Sequence, residues 1–309
     1  MALLFSDREV AAVLDAGRTV DAMRAALLAA HRGQLVAPPR ASAPLGGGRM
    51  VLTAGHLTGE WYGFRSYDTF GHPESEQLVV LHDGRTGAVR AVGVGTELGS
   101  RRTGGLGGVA VDALARPDAA TLGVLGSGGQ AWTQVWAAAA VRPLREVTVH
   151  SPTPAHRERF AARVRAELGV PARAVATPAG AVRDRDVVVL ATTSPTPVFD
   201  VRDLAPGSHV TTVGFKQRGR AEFGTDLLDA ADLLVTDSPA QAGAYDPPML
   251  AALPPYAGRL VDLGAVLAGA APGRAARDDV TVFCSVGLAG TEVFLLDRLV
   301  QLAAASAVV

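Results

Sequence analysis

The segment Thr121-Leu122-Gly123-Val124-Leu125-Gly126-Ser127-Gly128-Gly129-Gln130-Ala131 has the spacing with the clearest chemical consequence. It reads as a short apolar strand, a glycine turn and a helix start. Gly126, Gly128 and Ala131 fill the G-x-G-x-x-G/A pattern of a βαβ unit that holds a dinucleotide. Glycine at 126 permits the tight turn, glycine at 128 lets backbone approach a pyrophosphate, and the small Ala131 lets helix close on strand. Ser127, Gly129 and Gln130 complete the turn, whose helix amides would face the phosphates with partial positive charge. Glycine is common here, 35 of 309 residues, so the context carries the reading: an apolar strand before the turn and an unbroken helix over 131–140 after it.

Cofactor choice is read at the end of the next strand, where an acidic side chain would bond the ribose hydroxyls of NAD. That segment is Val149-His150-Ser151-Pro152-Thr153 and holds no acid. Ser151 and Thr153, with charge from His156 or Arg157, suit a 2′-phosphate, so NADP(H) is expected over NAD(H).

The basic residues are lopsided. Lys and Arg total 29, and the one lysine is Lys216, leaving 28 arginines. Arginine stays charged, whereas a desolvated lysine can release its proton. Lys216 lies in the loop Gly214-Phe215-Lys216-Gln217-Arg218-Gly219-Arg220-Ala221-Glu222. Arg101 and Arg102 are read as opening a glycine-rich helix, where a guanidinium suits a carboxylate gripped through two parallel bonds.

The elements that must position these groups follow from apolar periodicity and breakers. Ser6 and Glu9 form a capping-box pattern for a helix ending near Gly17, and a second helix runs from about Thr19 to Arg32. Strands are expected at 50–54, 60–67, 77–82 and 88–94, with a hairpin at Asp83–Gly87. A helix over 97–116 carries five glycines, tolerated only where backbone or ligand comes very close. Strands at 121–125, 146–150, 172–176, 186–191, 208–213, 232–236, 259–263 and 280–284 alternate with helices, the pattern of a parallel sheet covered on both faces. A last helix spans 290–305. The expected fold is α/β: a Rossmann-type nucleotide-binding domain over 118–289, and a smaller α+β substrate-binding and dimerisation domain from 1–117 with 290–309.

Composition bounds the rest. The chain is 48% hydrophobic and 19% charged with formal net charge −1, which supports neither nucleic acid nor an anionic membrane as partner. No stretch reaches about 18 uncharged apolar residues, and charges at Asp7, Arg8 and Glu9 leave no signal-peptide core. The single Cys284 excludes an internal disulfide and suits a reducing cytoplasm, the expected location. Cys284 is expected to be inert core, and Trp132 with Trp136 a packing pair. His56, His72 and His82 lack metal-ligand spacing, so no metal is expected. Trp61, Tyr62, Phe64 and Tyr67 flank Arg65, and alternate ones should face the same pocket.

The order of elements, and several motifs, resemble the ornithine cyclodeaminase/mu-crystallin family over nearly the whole chain. The resemblance rests on Arg40, Gly63-Phe64-Arg65, Leu98–Gly104 with Arg101-Arg102-Thr103, the fingerprint at 126–131, Ala191-Thr192-Thr193-Ser194, Val213–Glu222 and Ser285-Val286-Gly287-Leu288-Ala289. It implies a homodimer, a bound nicotinamide dinucleotide, and a pocket between the domains for a small substrate with a carboxylate. Arg102 matches the arginine that grips that carboxylate, and Arg40 matches a second. Val286 and Gly287 then belong with the substrate. Thr103, Thr192, Thr193, Ser194, Val213 and Gly214 belong with the cofactor.

Two positions depart from the family. Arg65 stands where a substrate-contacting lysine is usual, and Lys216 where cyclodeaminases carry an aspartate that engages the substrate amine. A cation repels an ammonium and cannot take its proton, so ornithine cyclisation is disfavoured. The expected reaction is hydride transfer at the C–N bond of a cyclic ketimine or α-imino acid, or oxidation of the matching amino acid. Lys216 is the candidate proton donor and Arg65 an electrostatic clamp. Alternatives are a cyclodeaminase-type lyase, a mu-crystallin-like protein that binds NADPH and ligand without catalysis, and a reductase of specialised metabolism.

Overall fold

The computed structural model describes residues 2–306. The chain divides into two compact units. One runs to Gly105 and resumes at Gly287, and the other is Leu106–Val286.

The first unit opens with β1 (Leu3–Phe5), α1 (Asp7–Val13) and α2 (Ala16–His31). Five strands come next: β2 (Leu35–Val36), β3 (Ala41–Pro44), β4 (Arg49–Leu57), β5 (Trp61–Asp68) and β6 (Gln77–Asp83). β7 (Val89–Gly95) completes the set. Among the described residues these strands make one sheet in the order β1-β7-β6-β5-β4-β2, with β3 also on β4. Only the β1–β7 pair is parallel within it. β4 to β7 answer the four expected strands. β1 and β2 are too short to show an alternation, and β3 is exposed throughout, so neither burial nor period marks them.

The first helix stops four residues short of Gly17. The Asp15 side chain accepts from the Arg18 amide at 2.8 Å and opens α2 at Ala16, not at Thr19. An N-cap aspartate satisfies an orphan amide, and this outweighs the glycine as a boundary signal.

α3 (Glu97–Leu114) begins in the first unit. A methyl group at Gly105 would strike Met23 and Thr19, which is the close approach its glycines imply. α10 (Thr291–Ser306) returns to pack on β5, β6, β7 and α2. Trp61 meets Phe294 edge-on with centroids 6.0 Å apart, and Gly55 abuts Gly290 with no room for a side chain. Trp61, Arg65 and Tyr67 alternate on this covered face. Tyr62 and Phe64 point to the other, where Met50, Leu52 and Leu78 are exposed with Tyr62.

The second unit alternates strands and helices: β8 (Thr121–Leu125), α4 (Gly129–Val141), β9 (Glu146–His150), α5 (Pro154–Leu168), β10 (Ala172–Ala174), α6 (Pro178–Val182), β11 (Val187–Leu190) and β12 (His209–Thr212). A small hairpin, β13 (Lys216–Gln217) and β14 (Arg220–Ala221), precedes α7 (Thr225–Ala230), β15 (Leu233–Thr236), α8 (Pro239–Gly243), β16 (Leu260–Asp262), α9 (Leu263–Leu267) and β17 (Thr281–Cys284). Eight strands pair in parallel in the order β10-β9-β8-β11-β12-β17-β15-β16. β11, β12, β15 and β17 are buried on both faces, hence their continuous apolar or hydroxyl-bearing runs. This is the expected Rossmann-type α/β sheet. Apolar clusters cover it, one around Trp132, Phe160 and Val187, the other around Leu190, Phe223 and Val282. Cys284 is buried, and burial pushes its thiol up to about 11.

His209 begins β12 wholly buried, its ring nitrogens 2.9 Å from Thr281 Oγ1 and 3.1 Å from Thr211 Oγ1. Burial, with Arg274 and Arg142 adding repulsion, pushes its pKa down to about 3. The native state therefore holds it neutral, while the unfolded chain takes up a proton near the ordinary histidine value. Its contribution is full above about pH 6.5 and is lost as pH falls toward 3, with a limiting slope of about 1.4 kcal/mol per pH unit. Urea unfolding of the wild type should show stability falling between about pH 6.5 and 5, and His209→Gln should flatten that slope. Equal slopes in the two proteins would refute the assignment.

Candidate functional site

The second unit holds a cleft of about 570 Å³ at the carboxyl ends of β8, β9 and β11. Ligands of open parallel sheets sit at this edge. Gly126, Ser127 and Gly128 line it, with Ser151, Thr153 and His156 on one side and Thr192, Thr193 and Ser194 on another. Gly126 has φ +116, and a side chain there would collide with the Ala191 carbonyl, so only glycine makes this turn. Gly128 caps the thirteen-residue α4 and looks onto open space, as a pyrophosphate-facing residue must. Ala131 is wholly buried, the third small residue of the pattern. Gly129 and Gln130 are exposed in the first turn of α4. The cleft's shape, its glycine cradle and the helix amides fit a dinucleotide.

At the far wall, Thr153 caps α5 without using its hydroxyl on the helix, leaving that hydroxyl exposed. Arg157 donates to the Ser151 carbonyl at 3.0 Å, which ties a guanidinium to the loop.

Two loops past the strand ends are locked by one carboxylate. Glu222 accepts from the Gly214 amide at 2.6 Å through one oxygen. Its other oxygen accepts from the Thr192 amide and hydroxyl, both at 2.8 Å. A side chain at Gly214 would overlap both this carboxylate and the Thr192 carbonyl. Burial pushes the Glu222 carboxyl up, while the Thr192 and Gly214 bonds and the Lys216 charge oppose it. Lys216 is buried, and its Nζ donates to the Val213 carbonyl at 3.1 Å and the Gly214 carbonyl at 2.6 Å. Val286 is buried, its amide held by Asp237 Oδ1 at 2.7 Å.

The first unit carries an arginine cluster. Arg65, on β5, donates from Nη1 to Glu292 Oε1 at 2.6 Å and from Nε to Gln77 Oε1 at 3.0 Å, and its guanidinium lies 4.1 Å over the Tyr67 ring. Arg102 Nη2 donates to the same Glu292 oxygen. Arg40 Nη1 approaches the Tyr67 hydroxyl at 3.4 Å. Gly287, with φ +79, leaves room for the Arg102 guanidinium. Thr103 donates its hydroxyl back to the Gly99 carbonyl of its own helix at 3.0 Å. Arg102 does not open its helix. α3 starts at Glu97, so Arg102 lies in the second turn, beyond the reach of the terminal amides, and it is buried rather than solvated.

Glu292 was missed by sequence reasoning. Its burial alone would raise its pKa, but Arg102 and Arg65 hold it down to about 2, so it is ionised at neutral pH. A lone acid within the otherwise apolar run Val286–Leu296 was the available signal.

Glu222→Ala would leave three buried or half-buried donors without an acceptor and free both loops. NADPH fluorescence titration should show binding weakened about tenfold or more, since each orphaned donor costs about 1–3 kcal/mol. Unaltered binding would remove Glu222 from cofactor-loop positioning.

Comparison with known proteins agrees with this geometry. The model of the ornithine cyclodeaminase/mu-crystallin family matches residues 2–304. A Δ1-pyrroline-2-carboxylate reductase of Bacillus cereus is 32% identical over 228 residues, covering 72% of this chain and 70% of that protein. Among solved structures, the Thermococcus litoralis Δ1-pyrroline-2-carboxylate reductase with NADH and L-proline superposes with TM-score 0.90 at 25% identity, covering 99% of this chain and 98% of that one. The iminosuccinate reductase of Paracoccus denitrificans with NAD⁺ gives TM-score 0.89 at 25% identity, over 99% of this chain and 98% of its own. Fold, glycine cleft and whole-length match agree, and the chain belongs to the ornithine cyclodeaminase/mu-crystallin family.

Proposed function

We propose that the protein is an NADP(H)-dependent oxidoreductase that reduces a cyclic ketimine or α-imino acid bearing a carboxylate, or oxidises the matching amino acid. The observation that carries the reading is the cleft at Gly126–Ala131, which has the room and the donors for a dinucleotide. The reductases among its relatives support the C–N chemistry. The nicotinamide, when bound, supplies the hydride. The span 118–289 serves the cofactor, and 1–117 with 290–309 serves substrate and dimer.

Around that cofactor this chain's own groups take distinct tasks. Arg102, with Arg40, holds the substrate carboxylate, and Arg65 adds positive charge beside it. Val286 and Gly287 border the substrate. Thr103, Thr192–Ser194, Val213 and Gly214 border the cofactor with the glycine turn. Lys216 donates the proton to the imine nitrogen. Two of its N–H groups hold the Val213 and Gly214 carbonyls, which aims the third. The preference for NADP(H) rests on Ser151, Thr153 and Arg157 in a strand end without an acid, where a 2′-phosphate gains donors and meets no repulsion. The same lysine disfavours the cyclodeaminase reading, which needs an anion at that position.

The partner in solution is a second copy of the chain. Met50, Leu52, Tyr62 and Leu78 share one sheet face with exposures of 46%, 42%, 41% and 37%, and exposed apolar side chains gathered on one face are covered by association. Its expected place is the cytoplasm.

NADPH-coupled assay of Δ1-pyrroline-2-carboxylate and related cyclic imines should show turnover, with kcat/KM for NADPH above that for NADH. Lys216→Met should lower kcat about a hundredfold while NADPH binding persists. Tight NADPH binding with no turnover over a broad imine panel would favour a binding protein, and a preference for NADH would refute the cofactor choice. Leu52→Glu should convert the dimer to monomer in sedimentation analysis, and a wild-type monomer would refute the interface.

A further inference from the structure

Arg65 and Arg102 bring two positive charges together in a buried place, and Glu292 is the carboxylate between them. Each member is fixed. Gln77 holds Arg65 Nε, the Tyr67 ring lies under its guanidinium, and a side chain at Gly99 would collide with Gln77. Gly287 fits against Arg102 so closely that a methyl group would overlap it. The set has a net charge of one: two guanidiniums less one carboxylate.

Two of its atoms remain unsatisfied. Among the described residues Arg102 Nε has no hydrogen-bond partner, and neither has Glu292 Oε2. The first is a buried donor edge left without an acceptor. The second leaves the Glu292 charge unshared by any further donor, so its field is felt by whatever approaches. One incoming carboxylate balances the cluster. A second carboxylate that comes to lie beside Glu292 meets its negative charge, and like charges in a desolvated site repel strongly.

We propose that Glu292 is a specificity determinant that restricts the substrate to an imine with a single carboxylate and rejects imines of dicarboxylic acids. This deepens the reading in which Arg102 and Arg65 hold the substrate carboxylate, and it rests on that reading. Glu292 touches the arginines and acts on the substrate through charge.

The test is calorimetry of the NADP⁺-loaded protein with pyrrole-2-carboxylate and with pyrrole-2,5-dicarboxylate, paired with kcat/KM for Δ1-pyrroline-2-carboxylate and for iminosuccinate formed from oxaloacetate and ammonia. The wild type should favour the monocarboxylate of each pair by about tenfold or more. Glu292→Gln should shift the ratio toward the dicarboxylate by about tenfold or more, whereas Glu292→Asp, which keeps the charge, should keep the ratio. A purely structural role would weaken both ligands equally, and an unmoved ratio overturns the proposal. If Glu292→Gln does not fold, the wild type still decides, because equal or tighter binding of the dicarboxylate overturns the proposal without any variant. Failure of both pyrrole acids to bind would sink the arginine–carboxylate reading itself, and the specificity proposal with it. Binding with an unaltered ratio sinks only the latter.

Discussion

A carboxylate removed from water must be hydrogen-bonded or paired with opposite charge, or it will hold its proton instead. Glu222 in one unit and Glu292 in the other are such groups, and the residues proposed for chemistry are arranged around them. Glu222 bonds three donors from two loops, so the backbone at Thr192 and Gly214 has one spacing available to it. Glu292 bonds two guanidiniums that would otherwise repel. Their protonation behaviour differs because their partners differ. Glu222 meets mainly neutral amides and a hydroxyl, and burial raises it. Glu292 meets two full positive charges, and these overcome burial.

The residue types at positions 65 and 216 follow from the same physics. A lysine at position 65 would place a compact charge on a flexible stem. Arginine offers a planar fork, and here its separate nitrogens serve Gln77 and Glu292 while its face lies on Tyr67. Three simultaneous contacts of this kind require a guanidinium. At position 216 the ammonium is used as a donor to carbonyls at a strand end, where an aspartate would repel both. An aspartate at 216 would therefore alter the loop, and it would lie near the buried Glu222 carboxyl, whose upward shift the Lys216 charge opposes.

What could be read from the sequence was what local geometry dictates. Gly126 was legible because its turn admits no side chain, and the structure supplies the reason in the Ala191 carbonyl. The buried strands were legible because a parallel sheet covered on both faces demands unbroken apolar runs. Boundaries were lost where two local signals competed: Gly17 suggested a helix end, but Asp15 is a stronger device and starts the next helix before it. The helix start at Glu97 agrees with the expected span, but it puts Arg102 in the second turn and not at the opening.

Glu292 was illegible for a different reason. Its partners are 190 and 227 residues distant in sequence, and no periodicity links positions that meet only after both sheet and helix have formed. The same holds for Glu222 and Thr192, 30 residues apart. Burial of a charge is a tertiary event, and its sequence trace is limited to a local anomaly, an ionisable residue within an apolar run. In a chain whose apolar runs are this long, such anomalies are few, and each must find a compensating partner somewhere in the fold. An acid within an apolar segment therefore implies arginines or other donors that the fold brings to it.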